Sequence, residues 1–341
     1  MLATSQRRST KPKGFVLPIT VLILALVSVG LVLMSHRSED MRRLVLAAQD
    51  ERDAAAMVED ASAEALFLSS ALYRRQDRLG SIHLDGRLYR SASGAIVSYT
   101  DAGALLSLRR VPRQELYGLL RALGLTDLRQ IERLTDVLLD YIDKDDLLQL
   151  NGAEAPEYAL AKLPPPRNER LLTPSELRRL IAWRDLPADF WERLLEHVHV
   201  GAQRTVNRHT VKGPVLAAIS GLEPSVAADL VAARQPGTML SIESLPAIAG
   251  GSYLAAGRYI SVPSISLLLK ICPPMVTWCE HMALTTSGES AHAPWHIDYS
   301  YRLPRTKALP TMSTIEALPD QLPDKPPPPL YSPFGQNEAL P

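Results

Sequence analysis

A chain of 341 residues with 46% hydrophobic content is long enough to bury one or two cores. Its 37 basic and 37 acidic side chains cancel, so no basic excess is present to serve a nucleic-acid backbone. The chain opens on Arg7-Arg8-Ser9-Thr10-Lys11-Pro12-Lys13-Gly14, followed by residues 15–34, an apolar run without a charge. Such a run suffices to cross a bilayer as one helix, and the basic flank predicts that its beginning stays in the cytoplasm. A secretory signal peptide is the competing reading, but it has a shorter apolar core followed by a small-x-small cleavage site. Here the run ends in Ser35-His36-Arg37-Ser38-Glu39-Asp40, and the small residue stands before it, at Gly14-Phe15.

This arrangement resembles the class III leader of type IV pilins and type II secretion pseudopilins. The resemblance implies that a prepilin peptidase cuts between Gly14 and Phe15 and that the new amino-terminal Phe15 is N-methylated. An ordinary single-pass anchor with a chance glycine is the alternative. Most pilin subunits carry Glu at the fifth position after the cut, where it neutralises a neighbour's amino terminus; an unpaired charge there is costly. This chain has Ile19, which fits a subunit at the fibre tip.

Between Gly30 and Gly80 there is neither Gly nor Pro, and Ala, Leu, Glu and Arg abound, all helix formers. Leu44, Ala48, Ala55, Val58, Ala61, Ala65, Leu68 and Leu72 mark one apolar stripe. Span and stripe together predict one helix of about 60 residues, packed at its far end on a sheet. A membrane-proximal coiled coil would leave the same stripe. Ile82-His83-Leu84-Asp85-Gly86-Arg87-Leu88-Tyr89 reads as two strands joined by Asp-Gly, a hairpin signal. Residues 95–99 read as a third strand. Strand-like text then stops and returns at residues 264–271, 275–284 and 296–303, which implies a sheet interrupted by a helical insertion.

Within the insertion, Leu116, Leu119, Leu120 and Leu123 form an apolar face that Gly124 ends, and Leu128, Ile131, Leu134, Leu138 and Tyr141 form the next. Thr173-Pro174-Ser175-Glu176 is a capping box with Pro at the first helical position, predicting a helix that buries Leu177, Leu180, Ile181 and Trp183. Phe190, Trp191, Leu194 and Leu195 mark a further helix.

Several segments occur in the order found in the general secretion pathway protein K family. Asp140-Tyr141-Ile142-Asp143-Lys144-Asp145-Asp146, Asn151-Gly152-Ala153-Glu154 and Tyr158 resemble its aspartate-rich and Gly-Ala-Glu segments. Asn168-Glu169-Arg170-Leu171-Leu172-Thr173-Pro174-Ser175-Glu176-Leu177 resembles its next landmark. Val206-Asn207-Arg208-His209-Thr210-Val211 matches its Ile-Asn-x-Asn-Thr-Ala element in part, and residues 106–111 form a weaker earlier copy. The likeness spans roughly residues 14–300.

It implies an α+β fold: a pilin-like long N-terminal helix packed on a small antiparallel sheet, with a large inserted all-α domain of helix-hairpin-helix or SAM-like type. The expected divisions are a leader at 1–14, a transmembrane segment at 15–34, helix and first strands at 35–100, the insertion at 101–256, returning strands at 257–303 and a proline-rich tail at 304–341. The resemblance further implies a minor pseudopilin of the inner membrane, with its bulk in the periplasm and no catalytic site. It would stand at the pseudopilus tip, start pseudopilus assembly and help export folded proteins across the outer membrane. Its partners would be minor pseudopilins of the I, J and H types, the major pseudopilin and the prepilin peptidase, with no nucleic acid.

Calcium-binding capacity is also implied. Asp140, Asp143, Asp145, Asp146 and Glu154 supply the hard oxygens that Ca²⁺ prefers, although they lack an EF-hand order and acidic helix ends are commonly just solvated. Asn207 and Thr210 suit capping of the following helix. On the topology above, Cys272 and Cys279 face the periplasm, where disulfides persist, and a short disulfide loop is expected. Two free thiols, or a metal site with His281, His292 or His296, are the alternatives, the spacing matching no zinc pattern.

The rival reading is a membrane-anchored helix-hairpin-helix DNA receptor. Residues 217–248 resemble that motif, but its hairpin, Leu222-Glu223-Pro224-Ser225, puts an acid and an N–H-less Pro where amides would hold phosphate. No G-x-S-x-G elbow, Walker loop, G-x-G-x-x-G or H-E-x-x-H is present, and His197-Val198-His199 points its imidazoles apart on a helix. From Pro304 onward the chain is proline-rich and poor in aromatics, predicting disorder or polyproline II.

Overall fold

The computed structural model describes residues 16–68, 82–234, 258–260, 262–286, 295–305 and 307–318. They fall in two units, Met1–Asp53 and Ala54–Pro341. Helix α1 (Val16–Leu68) supplies the described part of the first. From Leu17 through Asp53 its side chains are exposed, and its most apolar window reaches a mean hydropathy of 2.7 with none of it buried. Apolar surface of that extent calls for a lipid or protein surround.

In the second unit, α1 buries Ala54, Val58, Ala61, Ala65 and Leu68, alternating steps of four and three that keep one face on the core. Ala54 takes the place expected of Ala55, and Leu44 lies 66% exposed in the first unit. The buried face joins Tyr89, Tyr99, Leu267, Leu269, Ile271 and Leu284 in one cluster, and Glu64 accepts the Ala92 amide at 3.1 Å.

The strands of that cluster are β1 (Asp85–Arg90) and β2 (Ile96–Asp101) before the insertion, and β7 (Ser266–Cys272), β8 (Trp278–Thr286) and β9 (Trp295–Pro304) after it. A short β10 (Glu316–Ala317) completes a six-stranded sheet of order β10-β1-β2-β7-β8-β9. All pairs are antiparallel except β1 with β10. Asp101 at the end of β2 stands opposite Leu267 in β7, so the insertion leaves and re-enters between neighbouring strands.

The insertion begins with β3 (Leu106–Ser107), α2 (Arg113–Ala122), α3 (Leu128–Ile142), α4 (Ala155–Leu160) and α5 (Ala188–Leu195). It continues through β4 (Val198–His199), β5 (Val206–Asn207), α6 (Gly213–Ser220), α7 (Pro224–Ala232) and β6 (Tyr259–Ile260). Parallel two-residue ladders β3–β4 and β5–β6 join the chain before and after the helices they enclose. The core holds the predicted Leu116, Leu119, Leu120, Ile131, Leu134, Leu138, Leu177, Leu180, Phe190 and Trp191. Trp183 is fully buried and satisfies its indole N–H on the Leu134 carbonyl at 2.8 Å. α2 and α6 approach so closely that a Cβ on Gly118 would stand 3.0 Å from Ala218 Cα.

Four expectations are corrected. Asp85-Gly86 forms no hairpin turn: β1 runs through it with a bulge, and Gly86 takes φ +88° there, since the positive φ that makes Asp-Gly a turn signal serves a bulge equally. The turn lies at Ser91–Ala95, closed by Ser91 N–H to Ala95 O at 2.9 Å. The capping box yields a 3₁₀ helix, Pro174–Arg179, without a Thr173 side-chain cap; Glu176 instead accepts from Tyr141 Oη at 2.9 Å and Leu172 N at 2.8 Å. Asn207 and Thr210 do not cap α6, whose N-cap is Lys212. Order continues past Pro304: Ile315 and Leu318 are buried and Leu318 N–H bonds Arg90 O at 2.9 Å, because apolar burial on β1 and on the Cys272–Cys279 cluster outweighs the local proline content.

Candidate functional site

Helix α3 aims two acids inward, Asp136 and Asp140, one turn apart and both buried. Each holds part of the loop that follows. Asp140 accepts from Ala153 N at 2.9 Å and Gln149 N at 3.3 Å. Asp136 accepts from Asn151 N at 3.0 Å, Asn151 Nδ2 at 3.2 Å and the Arg113 guanidinium. A buried carboxylate that collects amide donors is satisfied, and the loop is thereby folded back over α3. Gly152 is required in it: a Cβ there would fall 1.8 Å from Asp140 Oδ2.

The remaining acids spread over this loop. Asp145 Oδ1 accepts the Leu147 amide at 3.0 Å, while Asn168 Nδ2 reaches Asp145 O at 3.3 Å and Asp146 Oδ1 at 3.0 Å. Asp143 and Glu154 differ. One Asp143 oxygen is buried with no donor, and the buried Glu154 carboxylate has only the capping-box contact at the start of α4. Burial, then repulsion from the neighbouring aspartates, pushes Asp143 up to about 6 and Glu154 up to about 7. Burial and the Asp136 charge also raise Asp140.

Hard, donor-starved carboxylate oxygens of this kind suit Ca²⁺. Among the described residues, however, no three His, Cys, Asp or Glu side chains converge as a ligand set. Asp136 stands outside the predicted acidic set, although an acid four residues before Asp140 on an apolar helix face is a legible signal.

The helix-hairpin-helix is α6 and α7, joined by Gly221, Leu222 and Glu223, with Gly221 at φ +72°. Its Leu222 amide donates to Ser220 Oγ at 3.4 Å, and Glu223 pairs with Arg121 at 3.1 Å. The hairpin thus turns a carboxylate, not a row of amides, to its surroundings.

Cys272 and Cys279 form a disulfide across the β7–β8 turn. His281 stacks on Tyr301 with ring centroids 5.4 Å apart. His199 lies buried in β4, accepting the Gly201 amide at 3.1 Å, while His197 Nδ1 bonds Arg193 O at 2.6 Å. The His197–His199 stretch is therefore turn and strand rather than helix. Gly14, Phe15 and His292 lie outside the described residues.

Comparison with known proteins adds three findings. Residues 99–203 match the family described as Type II secretion system (T2SS), protein K. A search of curated proteins gives no match. One similar solved chain comes from "The Crystal Structure of the GspK-GspI-GspJ complex from enterotoxigenic Escherichia coli Type 2 Secretion System", with 18% identity and a TM-score of 0.53 over 75% of this chain and 98% of that one. At that identity the likeness speaks to the fold.

Proposed function

We propose, from the premise that residues 99–203 are those of a type II secretion system protein K, that this chain works as a minor pseudopilin at the pseudopilus tip. The observation that carries the reading is the joint placement of three parts. An apolar helix opens the described chain, a sheet follows, and the matched segment runs from the end of β2 into the insertion that separates it from β7.

In this reading residues 15–34 are the inner-membrane anchor, with the basic leader cytoplasmic and the bulk of the chain periplasmic. The prepilin peptidase cuts at Gly14-Phe15 and Phe15 is methylated. Ile19, where other subunits need a carboxylate, supports a subunit with no neighbour above it, and the bulk of the insertion would block stacking there. The subunit would join I-, J- and H-type minor pseudopilins to start the fibre on which the major pseudopilin grows, aiding export of folded proteins. Its part is structural rather than catalytic. A Ca²⁺ ion would have to draw Asp143 and Glu154 together with Asp140, Asp145 and Asp146, which do not converge as a ligand set among the described residues. The cation would supply the positive charge these crowded carboxylates lack.

Intact mass of the membrane-extracted protein, with and without a co-expressed prepilin peptidase, tests the assignment. Loss of residues 1–14 with one added methyl group is expected. A full-length mass despite active peptidase would overturn it. Retention of a DNA duplex at low salt would favour the receptor reading instead.

A further inference from the structure

The sheet has a second face, away from α1. Leu269 and Ile271 join the core that α1 covers, so Lys270 between them points to the other side. There it stands in one row with Ser98 of β2, His281 of β8 and Tyr301 of β9. The register pairs Ser98 with Lys270, Lys270 with His281 and His281 with Tyr301. Neighbouring strands lie about 4.8 Å apart, which sets Ser98 and His281 immediately on either side of Lys270. The row floors a cavity of about 400 Å³ between the sheet and the insertion, within the size range of small-molecule sites. Leu105, Leu195 and, from the tail, Leu309 and Pro310 give it apolar walls.

Among the described residues, the Lys270 ammonium, the Ser98 and Tyr301 hydroxyls and the His281 imidazole meet no hydrogen-bonding or ion-pair partner. The acids lining the same cavity are engaged elsewhere. Asp85 is gripped by Arg87 at 2.7 Å, Glu192 faces Lys307 at 3.8 Å, and Glu196 favours the charge of Lys212 beside it. Of the other cations, Arg305 donates to the Val276 carbonyl at 2.8 Å and Lys212 to the Glu196 carbonyl at 2.6 Å. Lys270 is thus the cation without an answering group, and its neighbour feels it. Burial and the Lys270 charge hold the His281 pKa down at about 3, and a neutral imidazole keeps one N–H donor. One ammonium flanked by neutral donors suits a single negative charge, and leucine walls suit an apolar body attached to it.

We propose that this cavity binds an amphipathic carboxylate, its charge on Lys270 and its apolar body against Leu105, Leu195 and Leu309. Such a group comes from a free organic acid or from the C-terminal residue of a polypeptide. The proposal uses only the unit from Ala54 onward and is independent of the pseudopilin reading.

The test uses the full chain in detergent micelles at fixed pH and ionic strength, with protein-free micelles as the blank. It is titrated calorimetrically with hydrocinnamate and with the peptide acetyl-Gly-Gly-Ser-Phe, each beside its neutral amide. Saturable one-to-one binding of at least one acid is expected, about tenfold or more tighter than its amide, the loss typical of one charge-assisted bond. Tighter binding of hydrocinnamate identifies a free acid, and tighter binding of the peptide identifies a chain terminus. Lys270→Met should weaken binding by a similar factor, while Lys270→Arg keeps the charge and should retain most of it. Ser300→Ala, on the opposite face of β9, should change nothing. Should Lys270→Met lose its fold by circular dichroism, Lys270→Gln takes its place. Absence of saturable binding by both acids would overturn the proposal. So would an amide bound as tightly as its acid, or unchanged affinity once the Lys270 charge is removed.

Discussion

Asn207 Nδ2 donates to Asp101 Oδ2 at 2.5 Å across 106 residues of intervening sequence. Asp101 ends β2 and Asn207 lies in β5, so the bond ties the sheet to the insertion. The same fully buried carboxylate accepts from Gly103 N at 2.9 Å, from Ser264 N at 3.1 Å and from the Ser264 hydroxyl. Ser264 stands just before β7. One side chain therefore closes the outgoing strand, the insertion and the returning strand on each other.

Asp101→Ala should destabilise the unit from Ala54 onward by about 3–4 kcal/mol, because buried donors lose their acceptor together. Asn207→Ala removes the bond to Asp101 and the Oδ1 acceptor of the His209 amide at 3.0 Å, for about 2 kcal/mol. Urea denaturation of both single variants and the double variant measures this. The double should cost less than the sum, since the residues share an interaction; strict additivity would show that the clasp does not act as a unit.

Gly152→Ala should cost about 3 kcal/mol, the range for a steric conflict with a buried hydrogen-bonded group. To clear a Cβ at 1.8 Å, Asp140 would have to leave the Ala153 and Gln149 amides. Hydrogen exchange should show residues 149–153 opening first. A variant as stable as the parent would mean that the loop is not pinned through Asp140.

Stability should respond to the protonation of Glu154, whose carboxyl is pushed to about 7 from an ordinary 4.5. The folded chain then binds this proton more tightly than the unfolded one. The contribution is present in full below about pH 4.5, is lost as pH rises through about 7, and is constant above. Two histidines, buried His199 at about 4 and half-buried His281 at about 3, act oppositely: stability is lost as pH falls below their ordinary 6.5. The informative quantity is accordingly the difference between parent and Glu154→Gln in chelator, which should grow between pH 4.5 and 7. At pH 8, Ca²⁺ should raise the parent's Tm and leave that of Glu154→Gln unchanged; a parent indifferent to Ca²⁺ would remove the cation from the proposed function.

Replacing Cys272 and Cys279 together by Ser should cost about 2–3 kcal/mol, the chain-entropy value for a short closed loop. The two residues are seven apart and pack with Ile96 and Ile315. The thermal midpoint of the double variant should therefore fall, and exchange should rise at Leu318 N–H, which borders the same cluster. Equal midpoints would show that the hairpin is held by its sheet pairing alone.

Legibility in the sequence followed the range of the interactions. The apolar run that opens α1 and the 3.6-residue periods of α2, α3 and α5 are local, and Leu116, Ile131 and Phe190 were readable as core from spacing. The split sheet was readable from two groups of strand-like text. Glu176 was not: its capping signature with Thr173 is local, while the pull of Tyr141 and Arg167 on its carboxylate comes from elsewhere in the chain. Asp85-Gly86 announces a positive φ but not whether a turn or a bulge uses it.

What the sequence by itself determined is therefore the order of parts: an apolar helix, strands, a helical insertion, strands again, and the segment that matches protein K. Local propensity and hydrophobic period carry that information, because each is set by residues within a few turns of chain. Only the tertiary structure decided which polar groups meet. Asp101 with Asn207 and Ser264, Asp140 with the amides around Gly152, and Arg113 with Asp136 are all pairings over a distance in sequence. Their partners are chosen by how the sheet and the insertion pack, since a buried charge must find its donors wherever packing brings them.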